Sequence, residues 1–563
     1  MLKKICNIKV NKYIAFIIIA TFILMMPSFL VEFLYGHDNL FHYSHIKALV
    51  EYFNFGNFIP SKIEPMTANN FGYGIRLFYP TLPHVITGYF AFVLDIFKID
   101  IVNALKIVPF FILGLSGITM FYTAKSLFKN EPLAFLSSII YITFPYHFTE
   151  IYVRSALSEQ FVFIFIPLII LGLSKLLEGD IKKFYQLFIP SFTLMCLSHI
   201  VVSLYFSILL IPFFIINYKK IFVKSKIIPL VKSGVLILVF ILPFVIPMIE
   251  HKFGGSYVVF SENAMAKSSS VMYKALRVGD FLIPRGSIRD EEISFYFNPV
   301  VLLMFLIFIL KYKEISKKVN NRMLTSILSF GILGIAISSF LFPWDKLSGF
   351  FLMIQFPWRL LIFVILSTSL LAPLTLLLVN KKYWNKIITC LCIFSIVFVL
   401  LLTSYRGITK SFNEPEVWKN EELVESEEMG AQDEYLPNKT LENIEYFNKR
   451  GEGIIIKDDN TGVKIEIIEN KTPYMKINIS NNTKTVIELP RLYYLGYELK
   501  LIGENKTEYI NYYENENGFI EAELEGNGSL IINYKGTVLY RIFEYIRIVV
   551  VVTLIIYFIK KKF

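Results

Sequence analysis

Apolar runs of helical length, separated by short basic connections, fill residues 1–404. Crossing the hydrocarbon core takes about 20 apolar residues in a helix. Candidates run from Tyr13 to Leu34, Ala104 to Thr123, Leu133 to Tyr146, Gln160 to Leu177, Phe184 to His199 and Ile200 to Ile216. Others run from Ile227 to Ile249, Val300 to Leu310, Met323 to Phe342, Arg359 to Val379, Ile387 to Ser404 and Ile546 to Ile559. The pattern predicts an α-helical polytopic membrane domain of about twelve spans, with two long outer loops, 36–103 and 250–298. The apolar stretch Leu82 to Ile99 contains Pro83, His84 and Asp95 and is expected to lie along the membrane or re-enter it without crossing.

Beyond Tyr405 the period changes. Residues 405–540 open on an acidic, irregular part, Lys410 to Gly453, and then alternate apolar and polar positions from Gly453, Val463, Tyr474, Thr485, Phe519 and Ser529, with Asn, Gly and Asp turns between. Short strands at that spacing predict an extracytoplasmic β-sandwich. Residues 541–563 then form a terminal span and a basic tail.

Charge orients the spans, because short cytoplasmic loops collect Lys and Arg. With the amino terminus inside, the inner loops hold Lys3, Lys4, Lys9 and Lys12, then Lys125 and Lys129, Lys182 and Lys183, Lys219 to Lys226, Lys311 to Arg322, Lys381 to Lys386 and finally Lys560 to Lys562. Both termini are therefore expected in the cytoplasm of a plasma-membrane protein, with the β domain outside. The net charge of +11 on 563 residues is a topology signal, so nucleic acid is not an expected partner. Mean hydropathy of +0.55 excludes a soluble globular protein of this size. Cys6, Cys196, Cys390 and Cys392 all fall in the amino-terminal tail or in spans, so no disulfide framework supports the outer domain.

No Walker loop, dinucleotide turn, CxxC pair or HExxH helix occurs, which leaves nucleotide hydrolysis and zinc chemistry without support. The chemistry-bearing residues gather instead at outer ends of spans. Gly36-His37-Asp38 follows the first span, where a carboxylate reaches head groups and water together. Asp38 reads either as a helix N-cap or as a general base drawing the proton from an acceptor hydroxyl; His37 would orient it. Glu150, Arg154 and Glu159 follow the third span and read either as an ordinary ion pair or as a site in which Glu159 or Glu150 holds a divalent cation with Asp38 or positions the acceptor. Arg76 and Tyr79 in the first outer loop suit a sugar phosphate, the ring stacking on a pyranose and the guanidinium forking onto phosphate. His199 and Arg359 sit at the outer ends of their spans, where Arg359 would meet a lipid-linked phosphate; Arg277 and Arg285 are further arginines for that role.

Gly36-His37-Asp38, Gly72-Tyr-Gly with Phe78-Tyr-Pro80, Tyr152 to Glu159, Leu197-Ser-His199 and Gln355-Phe-Pro-Trp-Arg359 resemble the bacterial 6-pyruvoyl-tetrahydropterin synthase-related membrane proteins. Glu434-Tyr-Leu-Pro437 and Leu489 to Tyr497 are similar to the YfhO-like group. Both groups look like the GT-C glycosyltransferase superfamily. That resemblance implies a polyprenyl-phosphate-linked sugar as donor, with Asp38 as the catalytic acidic residue of the first loop and Glu159, or less surely Glu150, as an assisting one. The acceptor would be an envelope polymer, lipid or protein. His-Asp stands where many relatives have an acidic pair and there is no second Asp-x-Asp, a departure that argues against metal dependence; a divalent cation, Mg or Mn on Asp38 and Glu159, is the one cofactor the resemblance leaves open. A transporter or flippase, or a sugar-binding membrane protein, is the alternative class.

Overall fold

The computed structural model describes residues 11–34, 36–261, 268–282, 295–319, 323–347, 355–402, 433–457, 463–480, 483–504 and 506–562. Cys6, Arg285 and most of the acidic stretch 410–453 lie outside them. The chain groups into two compact units, the first comprising 1–43, 98–237 and 266–421, the second 44–97, 238–265 and 422–563.

Every predicted span is occupied by helix, in places only in part. Among the described residues six helical stretches are long and apolar enough to cross a membrane, as expected of a multi-pass membrane protein: Lys12–Phe29, Ile101–Phe128, Leu157–Glu178, Lys224–Gly254, Pro357–Leu378 and Lys381–Leu401. Five apolar helices are shorter, Leu82–Ile96, Glu131–Ile142, Ile200–Ile216, Pro299–Leu310 and Met323–Ser338. At 1.5 Å per residue the 15-residue helix Leu82–Ile96 reaches only about 22 Å, short of the roughly 30 Å hydrocarbon core.

Within the first unit, Leu157–Glu178 packs on Ala104–Phe128 and Ile181–Ser198, and Met323–Ser338 on Leu361–Leu371. Pro357–Leu378 is 94% buried and Leu157–Glu178 83%, against 33% for Lys12–Phe29, so these two form the centre of the bundle. Polar caps set the helix starts: the side chains of Asn11, Asn130, Asp180 and Asn298 accept backbone N–H groups of their first turns. Gly179 closes Leu157–Glu178 in the left-handed region, φ 87°.

The second unit carries nine strands: β1 Ile455–Ile456, β2 Lys464–Lys471, β3 Tyr474–Ser480, β4 Thr485–Leu492, β5 Tyr497–Ile502, β6 Thr507–Ile510, β7 Tyr512–Glu514, β8 Phe519–Leu524 and β9 Gly528–Tyr534. They form two antiparallel sheets, ordered β1-β4-β8-β7 and β2-β3-β9-β5-β6. β5, β6 and β7 lie outside the alternating segments read from the sequence. The latter two are short, tyrosine-bearing edge strands whose residues are all at least partly accessible, so they present no apolar face.

Candidate active site

Three interruptions of helix build the site, all in the first unit. The helix Glu131–Ile142 stops at Thr143, and Phe144, which precedes Pro145, is extended. The short helix Pro145–Tyr152 follows, then a turn with Ser155 at φ 52°, then Leu157–Glu178. This return brings Glu150, Arg154 and Glu159 together. A second break falls at His199, extended between Ile181–Ser198 and Ile200–Ile216. Its Nδ1 accepts the Val202 N–H at 3.2 Å, which puts the proton of the neutral ring on Nε2. The third is Gln355 (φ 49°) and extended Phe356 before Pro357, where a 3₁₀ turn, Pro357–Leu360, carries Arg359.

The Gly36-His37-Asp38 segment is laced to the first of these turns. His37 N–H donates to the Val153 carbonyl at 3.0 Å and Asp38 N–H to the Arg154 carbonyl at 2.9 Å. A Cβ on Gly36 would run into Oγ and Cβ of Ser155, so the approach requires glycine. Asp38 occupies the N-cap position of Asn39–Asn54, its carbonyl accepting from His42 N–H at 3.0 Å. Its carboxylate faces Arg154, Oδ2 lying 3.9 Å from Nη2.

Glu159 is the hub. Its Oε1 accepts from Arg154 Nη1 at 2.9 Å and from Arg359 Nε at 2.8 Å, with His199 Nε2 at 3.6 Å. Arg154 Nη1 also reaches both oxygens of Glu150 at 2.8 Å. The Arg359 guanidinium lies over the Phe356 ring, 4.7 Å from its centroid, and Gln355 Oε1 is 3.5 Å from Nη1. Gln160 Nε2 donates to the Glu150 carbonyl at 2.8 Å and tethers the turn. Glu150 and Glu159 are buried, as are both arginines. Such burial is tolerated only because opposite charges are paired at hydrogen-bond distance. Asp38 differs: 42% of its side chain stays accessible, although protein surrounds it on several sides. That surrounding protein raises its carboxyl above the usual value of 3.8, Arg154 pulling it down and Glu159 pushing it up. Burial pushes the Glu150 carboxyl up to about 7 against the pull of Arg154.

Asp38, Arg154, Glu159, His199 and Arg359 thus converge, drawn from four separate segments of the chain. All five lie at the helix ends away from Lys12, Lys175, Lys182 and Lys381. His37 is on the surface. Arg76 and Tyr79 belong to the second unit, where Arg76 is bound to Glu64 at 2.5 Å and to the Ser61 carbonyl at 2.9 Å, and the Tyr79 ring stacks on His84 at 5.6 Å. Arg277 is exposed, its backbone N–H donating to Asp280. Glu150, second to Glu159 by resemblance, is part of the cluster, and Gln160 and Phe356 join it without any sequence signal that marks their role. The i,i+4 spacing of Glu150 and Arg154 was the available signal for Glu150.

The donor set does not fit a divalent cation. Arg154 stands between the Asp38 and Glu159 carboxylates, and Glu159 Oε1 already takes two guanidinium N–H groups. Among the described residues no group of three or more His, Cys, Asp or Glu is placed to hold a metal.

No family model matches the chain. An uncharacterized protein of Lactococcus lactis subsp. cremoris (strain MG1363) is 24% identical over 343 residues, 58% of this chain and 53% of that protein. The chain therefore spans about half the length of this curated relative. Among solved structures, the archaeal oligosaccharyltransferase AglB from Archaeoglobus fulgidus, in complex with an inhibitory peptide and a dolichol-phosphate, is similar with a TM-score of 0.44 and 12% identity, over 78% of this chain and 58% of that one. The apo form of an Archaeoglobus fulgidus oligosaccharyltransferase gives 0.41 and 12%, over 79% and 59%.

Proposed function

We propose that the chain is an inverting membrane glycosyltransferase of the GT-C type. It moves a sugar from a polyprenyl-phosphate donor to an envelope polymer, lipid or protein at the outer face of the plasma membrane. The supporting observation is an accessible carboxylate, Asp38, beside two buried guanidiniums held by one glutamate.

In this reading an acceptor hydroxyl lies against Asp38. Asp38 takes its proton as the oxygen bonds to the anomeric carbon, and the bond from that carbon to the phosphate oxygen breaks, the electron pair leaving with polyprenyl phosphate. Arg154 and Arg359 face the charge that grows on the leaving oxygen, where fixed guanidiniums stabilise it most effectively because they need no reorganisation. Glu159 is then a positioning residue, fixing both arginines through one oxygen. Its Oε2, buried and without a hydrogen-bond partner among the described residues, is available to a sugar hydroxyl. His199 presents its Nε2 proton to the same carboxylate. Asp38 is well suited to its role, since a raised carboxyl pKa makes a stronger base than an ordinary aspartate.

Deleting the gene should raise the level of one polyprenyl-phosphate-linked sugar in the membrane. The wild-type chain should restore it, and Asp38→Asn should not, with transfer lowered by roughly 10²–10⁴-fold, the usual contribution of a general base, and with unchanged abundance in the membrane. Wild-type levels of product from Asp38→Asn would overturn the assignment.

A further inference from the structure

The second unit holds a cavity of about 990 Å³, bordered by the loop 57–66, by the strands near Asn470 and Tyr534 and by the start of the helix Val538–Lys562. Its wall is polar and richer in cations than in carboxylates. Most of those charges are already matched. Arg547 pairs with Glu544 and Lys471 with Glu469, while Arg76 is bound to Glu64.

Two cations of the wall form no ion pair among the described residues, the exposed Lys535 and the half-buried Lys62. The Lys62 Nζ donates a long bond to the Pro243 carbonyl, 3.4 Å, and lies 5.4 Å from the centroid of the Tyr540 ring. Among the described residues no carboxylate forms an ion pair with it; Glu544, whose charge reaches it, is committed to Arg547. Arg76 gives an independent indication. It is 4% exposed, lines the same cavity and has a buried Nε without a hydrogen-bond partner among the described residues.

We propose that this cavity binds a phosphate carried on a hydroxylated carbon frame, such as glycerol phosphate or a sugar phosphate, with Lys62 as its principal counter-ion. A half-buried ammonium without an ion pair among the described residues and a guanidinium N–H without a hydrogen-bond partner there both gain from an incoming anion. A phosphate, with several acceptor oxygens, can take both where a single carboxylate oxygen cannot. Tyr540 and Tyr534 line the same cavity and supply apolar surface for the attached carbon frame. The protein around it lowers the Lys62 ammonium to about 8, with Glu544 pulling the other way. The phosphate could belong to a lipid head group or to a soluble glycan.

The test uses the full-length chain in phosphatidylcholine nanodiscs. Acetylation of Lys62 by a limiting dose of acetic anhydride is followed by peptide mass spectrometry, with and without sn-glycerol 1-phosphate. A parallel arm replaces part of the phosphatidylcholine with phosphatidylglycerol and adds no soluble phosphate. Protection of Lys62 by at least fivefold over exposed lysines such as Lys506 is expected in one arm. Protection in the first points to a soluble phosphate, and in the second to a lipid head group. Lys62→Met should abolish the saturable rise in melting temperature that the effective probe produces, and Lys62→Arg should keep it. The proposal fails if neither arm protects Lys62, or if Lys62→Met, still folded, keeps the full thermal shift. If Lys62→Met does not fold, protection in the wild-type chain decides.

Discussion

Burial separates the carboxylates of the candidate site into different roles. Glu159, enclosed and shared by two guanidiniums, has the surroundings of a fixed charge. Asp38, open over 42% of its side chain and 3.9 Å from Arg154, can meet a substrate. Because surrounding protein raises the Asp38 carboxyl, activity should fall as the medium is acidified through a value above 3.8. A kcat/KM profile whose acid limb sits at or below that value would contradict this. Glu150 makes a second, separable prediction about stability. Its folded-state carboxyl, at about 7, binds a proton more tightly than an unfolded glutamate near 4.5, so the stability this proton confers is present at low pH. It is lost as pH rises from about 4.5 towards about 7. Melting temperature in detergent should therefore decline over that window, and Glu150→Gln, which cannot ionise, should flatten the decline.

At the scale of elements, what matters is where helices stop. The segment 36–38 is held to the turn at 153–155 by two backbone hydrogen bonds and by the absence of a side chain at Gly36. Gly36→Ala should cost about 1–3 kcal/mol, the range for overpacking a tight contact, and should reduce transfer by displacing Asp38. Ser155 stands at φ 52°, where glycine is at ease. Adding Ser155→Gly removes the clashing side chain and should recover both thermal stability and transfer; a double variant no better than the single one would refute the clamp. Much of this level was legible in the sequence. Pro145 and Pro357 announce extended residues before them, and the strong β2, β3, β4, β8 and β9 alternations are visible by eye. β6 and β7 are not, because short edge strands without a buried face carry no period-2 signal.

At the scale of the whole molecule, the basic clusters and the site residues occupy opposite ends of the same helices. Lys12 opens Lys12–Phe29 and Asp38 follows it; Glu159 lies in the first turn of Leu157–Glu178 and Lys175 near its close; Arg359 starts its span and Lys381 comes after it. If the lysine-rich ends are cytoplasmic, a membrane-impermeant maleimide applied to intact cells should label Lys500→Cys in the β region of a chain freed of its native cysteines. It should leave Lys182→Cys unlabelled until the membrane is permeabilised. Labelling of Lys182→Cys in intact cells would invert the topology and remove the site from the outer face.

The amino-acid sequence by itself determined what depends on neighbouring residues. Hydrophobic periodicity marks the helices and most of the strands, lysine distribution marks a side for their ends, and Asp38 stands out because it follows an apolar run at the point where a carboxylate meets head groups and water together. Which of the marked residues meet was decided only in three dimensions. Asp38, Arg154, Glu159, His199 and Arg359 converge because separate helices break at one end of the bundle, and paired burial is the only low-cost state for their charges. Arg76, which looked equally apt in sequence, is held by Glu64 in the other unit. Pairing of buried charges is a property of packing between segments up to 200 residues apart, such as Glu159 and Arg359, and no local pattern encodes it.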